Sequence, residues 1–329
     1  MPGERNAWSS LLRSNPDCRR AFLSPGFAEA AARCGNEVWV AAGYRGEEPH
    51  WFMPLQRHGE WIGRLGVFEP VGGGMSDYFG AIGVSGSVIV PEHIFSASGG
   101  RIAAILFTHL DESQAGFGLR AGEPRVGLRT HIGDSAETYW ADLRRRDKKL
   151  VYDTERREKK LMTEHGKLCF EWHSSEASAD LQKLVEMKTA QYAKTGKHGG
   201  PLFHKHNVDL LERLLNTADD ACEGVLSVLR SGNEIVAAHF GLRCHDVLHI
   251  WFPAYAVKFA NYSPGRILLK HIIRHAAEHG VHTLDRGEGD TVAKRDFANG
   301  EHRYFRGLWH AMSPRGLLAR VAVSLYWRL

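Results

Sequence analysis

The sequence predicts an α+β protein built from two blocks, and three features lead to that class. Short runs of β-branched, aromatic and aliphatic residues fill about the first 130 positions, a charged helical pattern occupies 135–167, and the last third alternates strand with helix. With 329 residues, 43% of them hydrophobic and 24% charged, the chain is long enough for two ordinary domains and too apolar for a disordered one. No window approaches the roughly 20 apolar residues that a membrane-spanning helix needs. The N-terminus has no apolar stretch ahead of its charges, so the cytoplasm is the expected compartment.

In the first block, strands are expected over 37–44, 50–59, 64–74, 101–110 and 125–133, each bounded by Gly, Asp or Ser. One helix stands out at 24–35: Ser24 is its N-cap, Pro25 opens it and Gly35 stops it. In the charged stretch Tyr139, Leu143, Leu150, Tyr152 and Leu161 are the apolar points of a helical linker. The expected domains are therefore 1–135, a basic helical linker 136–167, and 168–329. A strand at 168–173 leads into a helix over 177–196 that Gly196 stops, and a second helix follows over 206–220.

Residues 224–255 read as a meander of three strands, the first two divided by Ser231-Gly232-Asn233 and the last two by 243–246. A helix over 263–280 has Ser263 as N-cap, Pro264 at its first position and Gly280 as C-cap. Then come a strand at 281–289, a short helix at 292–298 and a last strand at 301–312. No G-x-G-x-x-G follows a strand, which removes a dinucleotide fold, and no repeat of 20–50 residues is present.

Charge is concentrated in one place. Residues 142–167 hold 10 basic and 6 acidic side chains, a surplus that equals the net charge of +4 for the whole chain. Such a run fits first of all the solvated face of a charged helix, and after that a seat for an acceptor's phosphate or an anionic lipid. Five scattered cysteines (Cys18, Cys34, Cys169, Cys222, Cys244) read as reduced and mostly buried thiols. His271, His275 and His279 repeat at i+4 and His204 and His206 share a loop, yet neither set carries the Cys or carboxylate pattern of a metal site. They read as an exposed helical flank, and no metal is expected. The tail at 313–329 sets Leu317, Leu318, Val321 and Leu325 on one helical side with Arg315, Arg320 and Arg328 around them. It fits a docked helix or a membrane-surface helix, giving peripheral contact at the inner face of a membrane.

The chemistry centres on the strand-to-helix junction before Ser263. Helix starts leave backbone N–H groups without acceptors and carry partial positive charge, so the amides around Gly265, Arg266 and Ile267 suit a phosphate or pyrophosphate. Gly265 lets the anion approach; a capped helix with no ligand begins in the same way. His239 lies within an apolar strand, Asp285 and Glu288 at the end of another, and Tyr255 at the end of the meander.

This junction, with its meander and following strand, resembles the core of the GNAT acyltransferases. Residues 76–80, 143–171, 234–242, 251–273 and 284–297 are similar, in order, to segments of the cellulose-biosynthesis (CelD/BcsL) type, relatives of the FemABX peptidyltransferases. The resemblance spans roughly residues 5 to 310. It implies two tandem GNAT-like domains, each a mixed, mostly antiparallel sheet flanked by helices. It also implies acetyl-CoA or another acyl-CoA as co-substrate, with the pyrophosphate on Ser263, Gly265, Arg266 and Ile267. Acceptor contacts are expected from Asp77, Tyr78 and Lys294, with the first domain helping to form the groove.

The implied reaction is acyl transfer to an amine of a sugar, amino acid or lipid precursor in envelope or polysaccharide synthesis. Attack requires an amine that loses a proton, which makes His239, Asp285 and Glu288 the candidate bases and Tyr255 a candidate donor to the departing thiolate. One departure stands out: where the family often has Tyr-Lys, this chain has Ala293-Lys294. Two alternatives accompany the reading, an aminoacyl transferase that uses charged tRNA as FemABX relatives do, and a catalytically inactive GNAT-fold binding subunit. Oligomeric state is left open.

Overall fold

The computed structural model of the chain describes residues 2–119, 122–194, 200–217 and 219–327. Gly196 and Arg328 lie outside the described residues. In chain order the elements begin α1 (Pro2–Ser14), α2 (Pro25–Arg33), β1 (Val38–Arg45), β2 (Glu48–Arg57), β3 (Val67–Glu69), β4 (Ile82–Gly83), α3 (Pro91–Ala97), β5 (Ala104–Asp111) and β6 (Glu123–His131). The α2 boundaries follow local chemistry: the Ser24 hydroxyl accepts the Phe27 N–H at 3.0 Å, and Gly35 takes φ +94 just past the end.

Two helices, α4 (Ala136–Arg146) and α5 (Lys148–His165), follow, broken at Asp147, whose carboxylate caps α5 by accepting the Leu150 N–H. Then come β7 (Leu168–Glu171), α6 (Ala177–Lys194), α7 (Lys205–Leu215), β8 (Glu223–Ser231), β9 (Glu234–Cys244) and β10 (Val247–Tyr255). The chain ends with α8 (Pro264–His275), β11 (Thr283–Glu288), α9 (Val292–Arg295), β12 (Gly300–His310) and α10 (Pro314–Tyr326).

Backbone contacts divide the chain into two compact units, Met1–Val126 with His302–Leu329, and Gly127–Glu301. In the first unit the strand order is β1-β2-β3-β5-β12, with β4 on β2; only β3 and β5 run parallel. In the second unit the order is β6-β11-β10-β9-β8-β7, and only β10 and β11 run parallel. The expectation of mixed, mostly antiparallel sheets flanked by helices therefore holds for both.

The expected domain limits do not match these units. Residues 302–327 cluster with the first unit because β12 pairs with β5 from Tyr304↔Asp111 to His310↔Ala104 and α10 lays Ala319, Ala322 and Val323 on Ile62, Val67 and Leu106. Residues 127–131 of β6 pair instead with β11 in the second unit. Nor is 136–167 a linker: Tyr139, Leu143, Leu150, Val151 and Leu161 are core residues of the second unit. Tyr152 departs from the expected apolar points, being two-thirds exposed. The basic runs on α4 and α5 are largely ion-paired within those helices, Arg144 to Glu155, Arg145 to Asp142, and Arg156 and Arg157 to Asp153.

Candidate active site

Parallel strands β10 and β11 pair over three residue pairs, Val247↔Thr283, Leu248↔Leu284 and His249↔Asp285. Just beyond, β10 is irregular between Ile250 and Phe252 and β11 between Asp285 and Glu288, so the ladder between them stops. A cavity of about 460 Å³ lies past this point, walled by Ile250, Pro253, Ala254 and Tyr255 of β10, Arg286 of β11 and His239 of β9. Its rim is the start of α8, Ser263 to Arg266, and its far side includes Ala293, Asp296 and Phe297. Two β10 carbonyls here are satisfied by α6 side chains rather than by a strand: Lys188 Nζ donates to Pro253 at 2.8 Å and Gln191 Nε2 to Tyr255 at 3.0 Å.

The start of α8 differs in one respect from expectation. Ser263 occupies the N-cap position in the left-handed region (φ 55, ψ 53), and its hydroxyl makes no capping bond. The Arg266 and Ile267 amides both donate to the Ser263 carbonyl, at 3.0 and 3.2 Å, so they are not free to cradle an anion as expected. Ile267 is fully buried. The Arg266 guanidinium is bound by Asp296 at 2.8 Å and Asp153 at 3.2 Å. Gly265 keeps the second helical position, whose N–H has no intrahelical acceptor, and a Cβ added there would meet nothing within 4 Å.

His239 is fully buried on the cavity wall, and neither ring nitrogen makes a hydrogen bond; the His249 backbone approaches without forming a sound one. Gly241 makes room for the imidazole, since a Cβ there would sit 2.4 Å from its Cε1. Burial, followed by the nearby His249 and Arg286, lowers the pKa of His239 from 6.5 to about 3. The ring is neutral at physiological pH and a weak base, which counts against the general-base role and in favour of a neutral hydrogen-bonding one.

A stability consequence follows. Between pH 6.5 and about 3 the unfolded chain binds a proton at His239 that the folded chain does not. That contribution is whole above pH 6.5 and is lost as pH falls through the window. Melting temperatures measured from pH 7 down to pH 4 should therefore drop less steeply for His239→Gln than for the parent. Parallel curves would show that the buried imidazole does not govern acid stability.

Arg286 was not anticipated from sequence, although an arginine amid the strand 281–289 was a visible signal of a buried charge. It is 8% exposed, and its guanidinium donates to the Asp296 carbonyl at 2.9 Å and the Ala293 carbonyl at 3.0 Å. Burial lowers its pKa to about 10, which leaves it cationic at neutral pH beside His239.

The structure gathers Tyr255, Ser263, Gly265, Arg266 and His239 around one cavity and leaves the other candidates elsewhere. Asp285 is buried off the wall, accepting the Gly287 N–H at 2.9 Å and facing His249 Nδ1 at 3.5 Å and Arg129 Nε at 3.7 Å. Glu288 is half-buried at the end of β11, and its carbonyl holds Lys294 Nζ; neither side chain borders the cavity. In the first unit, Asp77 is half-buried. Tyr78, expected to contact the acceptor, is 1% exposed, with its hydroxyl bonded to Tyr304 at 2.7 Å and His302 at 3.1 Å, so it offers a ligand no surface.

The histidine series, His271 and His275 on α8 and His279 on the 3-10 turn after it, is not the exposed flank expected. His271 and His275 pack on the Phe170 ring and His279 stacks on Trp172 at 4.4 Å. His271 also pairs with Glu158 at 2.7 Å.

Residues 148–295 match the family model described as an acetyltransferase (GNAT) domain, so the whole cavity wall but Phe297 and Asp296 lies within the matched span. No curated protein matches the sequence. Among solved structures, FemX superposes with a TM-score of 0.68 at 11% identity, covering 96% of this chain and 98% of its own. The C-terminal domain of a putative lysylphosphatidylglycerol synthetase from Agrobacterium fabrum gives 0.56 at 13% identity, covering 98% and 96%. L-PGS from Bacillus licheniformis gives 0.56 at 12% identity, covering 98% and 97%. At these identities the likeness speaks for the fold. A mixed sheet that opens between two parallel strands beside a helix start, matched over 148–295 by the acetyltransferase model, makes the fold of this chain GNAT-like.

Proposed function

We propose that the cavity of the second unit is the site of an N-acyltransferase that moves an acyl group, acetyl by default, from coenzyme A to an amine. The observation that carries this reading is His239, a buried imidazole with two unbonded nitrogens on the wall of a cavity at the parting of β10 and β11. Leaving such a group dry costs roughly 1–3 kcal/mol, which a ligand that displaces the cavity wall enough to reach the fully buried nitrogens would recover. The thioester supplies an activated carbonyl: the amine nitrogen forms the C–N bond and loses one proton to solvent, the C–S bond breaks, and the departing thiolate takes up one proton from Tyr255, which solvent then reprotonates.

Several residues of the wall then have a task. The Gly265 N–H and the partial positive charge of the α8 start suit the pyrophosphate. The β10 carbonyls now held by Lys188 and Gln191 suit amide donors of an extended ligand. His239 holds the reacting region by hydrogen bonds in its neutral state, and Tyr255, a residue of the same wall, is assigned the proton given to the departing sulfur. Asp285 and Glu288 are assigned no part in this scheme, since neither borders the cavity. The acceptor class is an amine of a sugar, amino acid or lipid precursor of envelope or polysaccharide synthesis, in keeping with the resemblance to the cellulose-biosynthesis type and with a neighbour named as a putative lysylphosphatidylglycerol synthetase.

Calorimetry with acetyl-CoA tests the reading. The parent protein should bind, and Gly265→Glu should weaken binding by on the order of tenfold or more, because a carboxylate would stand at the anion seat. The open space at this position keeps that variant folded. Absence of binding by the parent would end the acyl-CoA reading, and retention of charged tRNA in its place would establish the aminoacyl alternative. Unchanged affinity of the variant would remove the pyrophosphate seat alone.

A further inference from the structure

We infer that the outward face of α10 is a membrane-surface contact selective for anionic phospholipid, an inference independent of the acyl-transfer reading. The helix is apolar on two sides. Small residues, Gly316, Ala319, Ala322 and Val323, are buried against the first unit. The large ones face the other way: Leu317, Leu318, Val321 and Leu325 are each 48–56% exposed, and Met312 just before the helix is 82% exposed. At 100° per residue these four side chains span about 100° of the helix circumference, one continuous stripe. Docking of the small-residue face therefore does not use the stripe.

Charge selects the occupant. Residues 302–327 contain Arg303, Arg306, Arg315 and Arg320 and no Asp or Glu. Arg320 is exposed at one edge of the stripe. Arg315, beyond the other edge, is held in place by the Leu65 and Gly100 carbonyls, at 3.1 and 2.8 Å. An apolar stripe flanked by cations matches a bilayer with anionic headgroups. A second copy of the same face would instead bring these arginines together with no carboxylate in the segment to neutralise them. Trp61, on the 3-10 turn against which α10 packs, is also half exposed, and indole rings favour the headgroup layer. Among the described residues no helix is long and apolar enough to cross a membrane, so α10 lies on the surface.

Flotation of the full chain with vesicles tests this. The parent should float with phosphatidylcholine–phosphatidylglycerol vesicles and much less with phosphatidylcholine alone, and added salt should weaken the binding. Leu318→Glu/Val321→Glu should lose on the order of tenfold in binding with an unchanged melting temperature, because both side chains already face water. Arg320→Gln should lose roughly fivefold on anionic vesicles. Failure of the parent to float would overturn the inference. So would a dimer in light scattering that the double substitution dissociates, which would assign the stripe to a second copy.

Discussion

His239→Ala should lower kcat/KM for acyl transfer by on the order of 100-fold once an acceptor is in hand, the loss expected when a buried hydrogen-bonding partner of the reacting groups is removed. Fold should survive with some loss of stability, because the imidazole makes no hydrogen bond that the protein would forfeit although its fully buried site is emptied. Two further measurements separate the possible roles. His239→Gln keeps a donor and an acceptor, and should recover a good part of the activity if the ring acts by hydrogen bonding. The pH profile is the second: a base with a pKa of about 3 would place no limb near neutrality, so the profiles of parent and Gln variant should coincide above pH 5. Activity of His239→Ala within twofold of the parent would remove His239 from the site.

Phe297→Ala should destabilise the protein by about 3–5 kcal/mol, the ordinary cost of emptying a phenyl site in a closed core. Phe297 is fully buried, with its ring edge-on to Trp140 at 5.6 Å. Its backbone adopts φ +66, an uncommon conformation for an aromatic residue, and is held there by Tyr139 and Thr130, whose hydroxyls both donate to the Phe297 carbonyl. Because Phe297 is one of the residues walling the cavity, acetyl-CoA affinity should fall with stability. Urea denaturation reads the first effect: the midpoint should drop with the slope unchanged. A loss under about 1 kcal/mol would mean that the 293–297 segment relaxes into the space, and that the left-handed residue is not a fixed part of the wall.

Much of the second unit was legible one residue at a time. Ser231-Gly232-Asn233 announces a hairpin because Gly232 must take φ +57, and β8 and β9 do flank that turn. Pro264 after Ser263 announces a helix start, and α8 begins there, although the serine contributes its carbonyl rather than its hydroxyl. Asp147 looked like one more charge in a basic run; its capping of Leu150, which divides α4 from α5, follows the same N-cap rule but was masked by the lysines and arginines around it. Arg286 escaped notice because its two acceptors, the Ala293 and Asp296 carbonyls, are backbone atoms with no signature in composition.

The sequence by itself determined the starts of α2 and α8 and the turn between β8 and β9, since caps and turns are settled by residues within a few positions of one another; it did not announce α1, α3 or the break at Asp147. Tertiary structure alone decided that β12 joins β5, because a strand's hydrogen-bonding edges carry no mark of the sheet they will complete. It alone decided that the His239 nitrogens are left unbonded and the ring neutral. Solvation and partnership of a side chain are set by whatever the fold brings beside it, here Gly241, His249 and Arg286 from three strands.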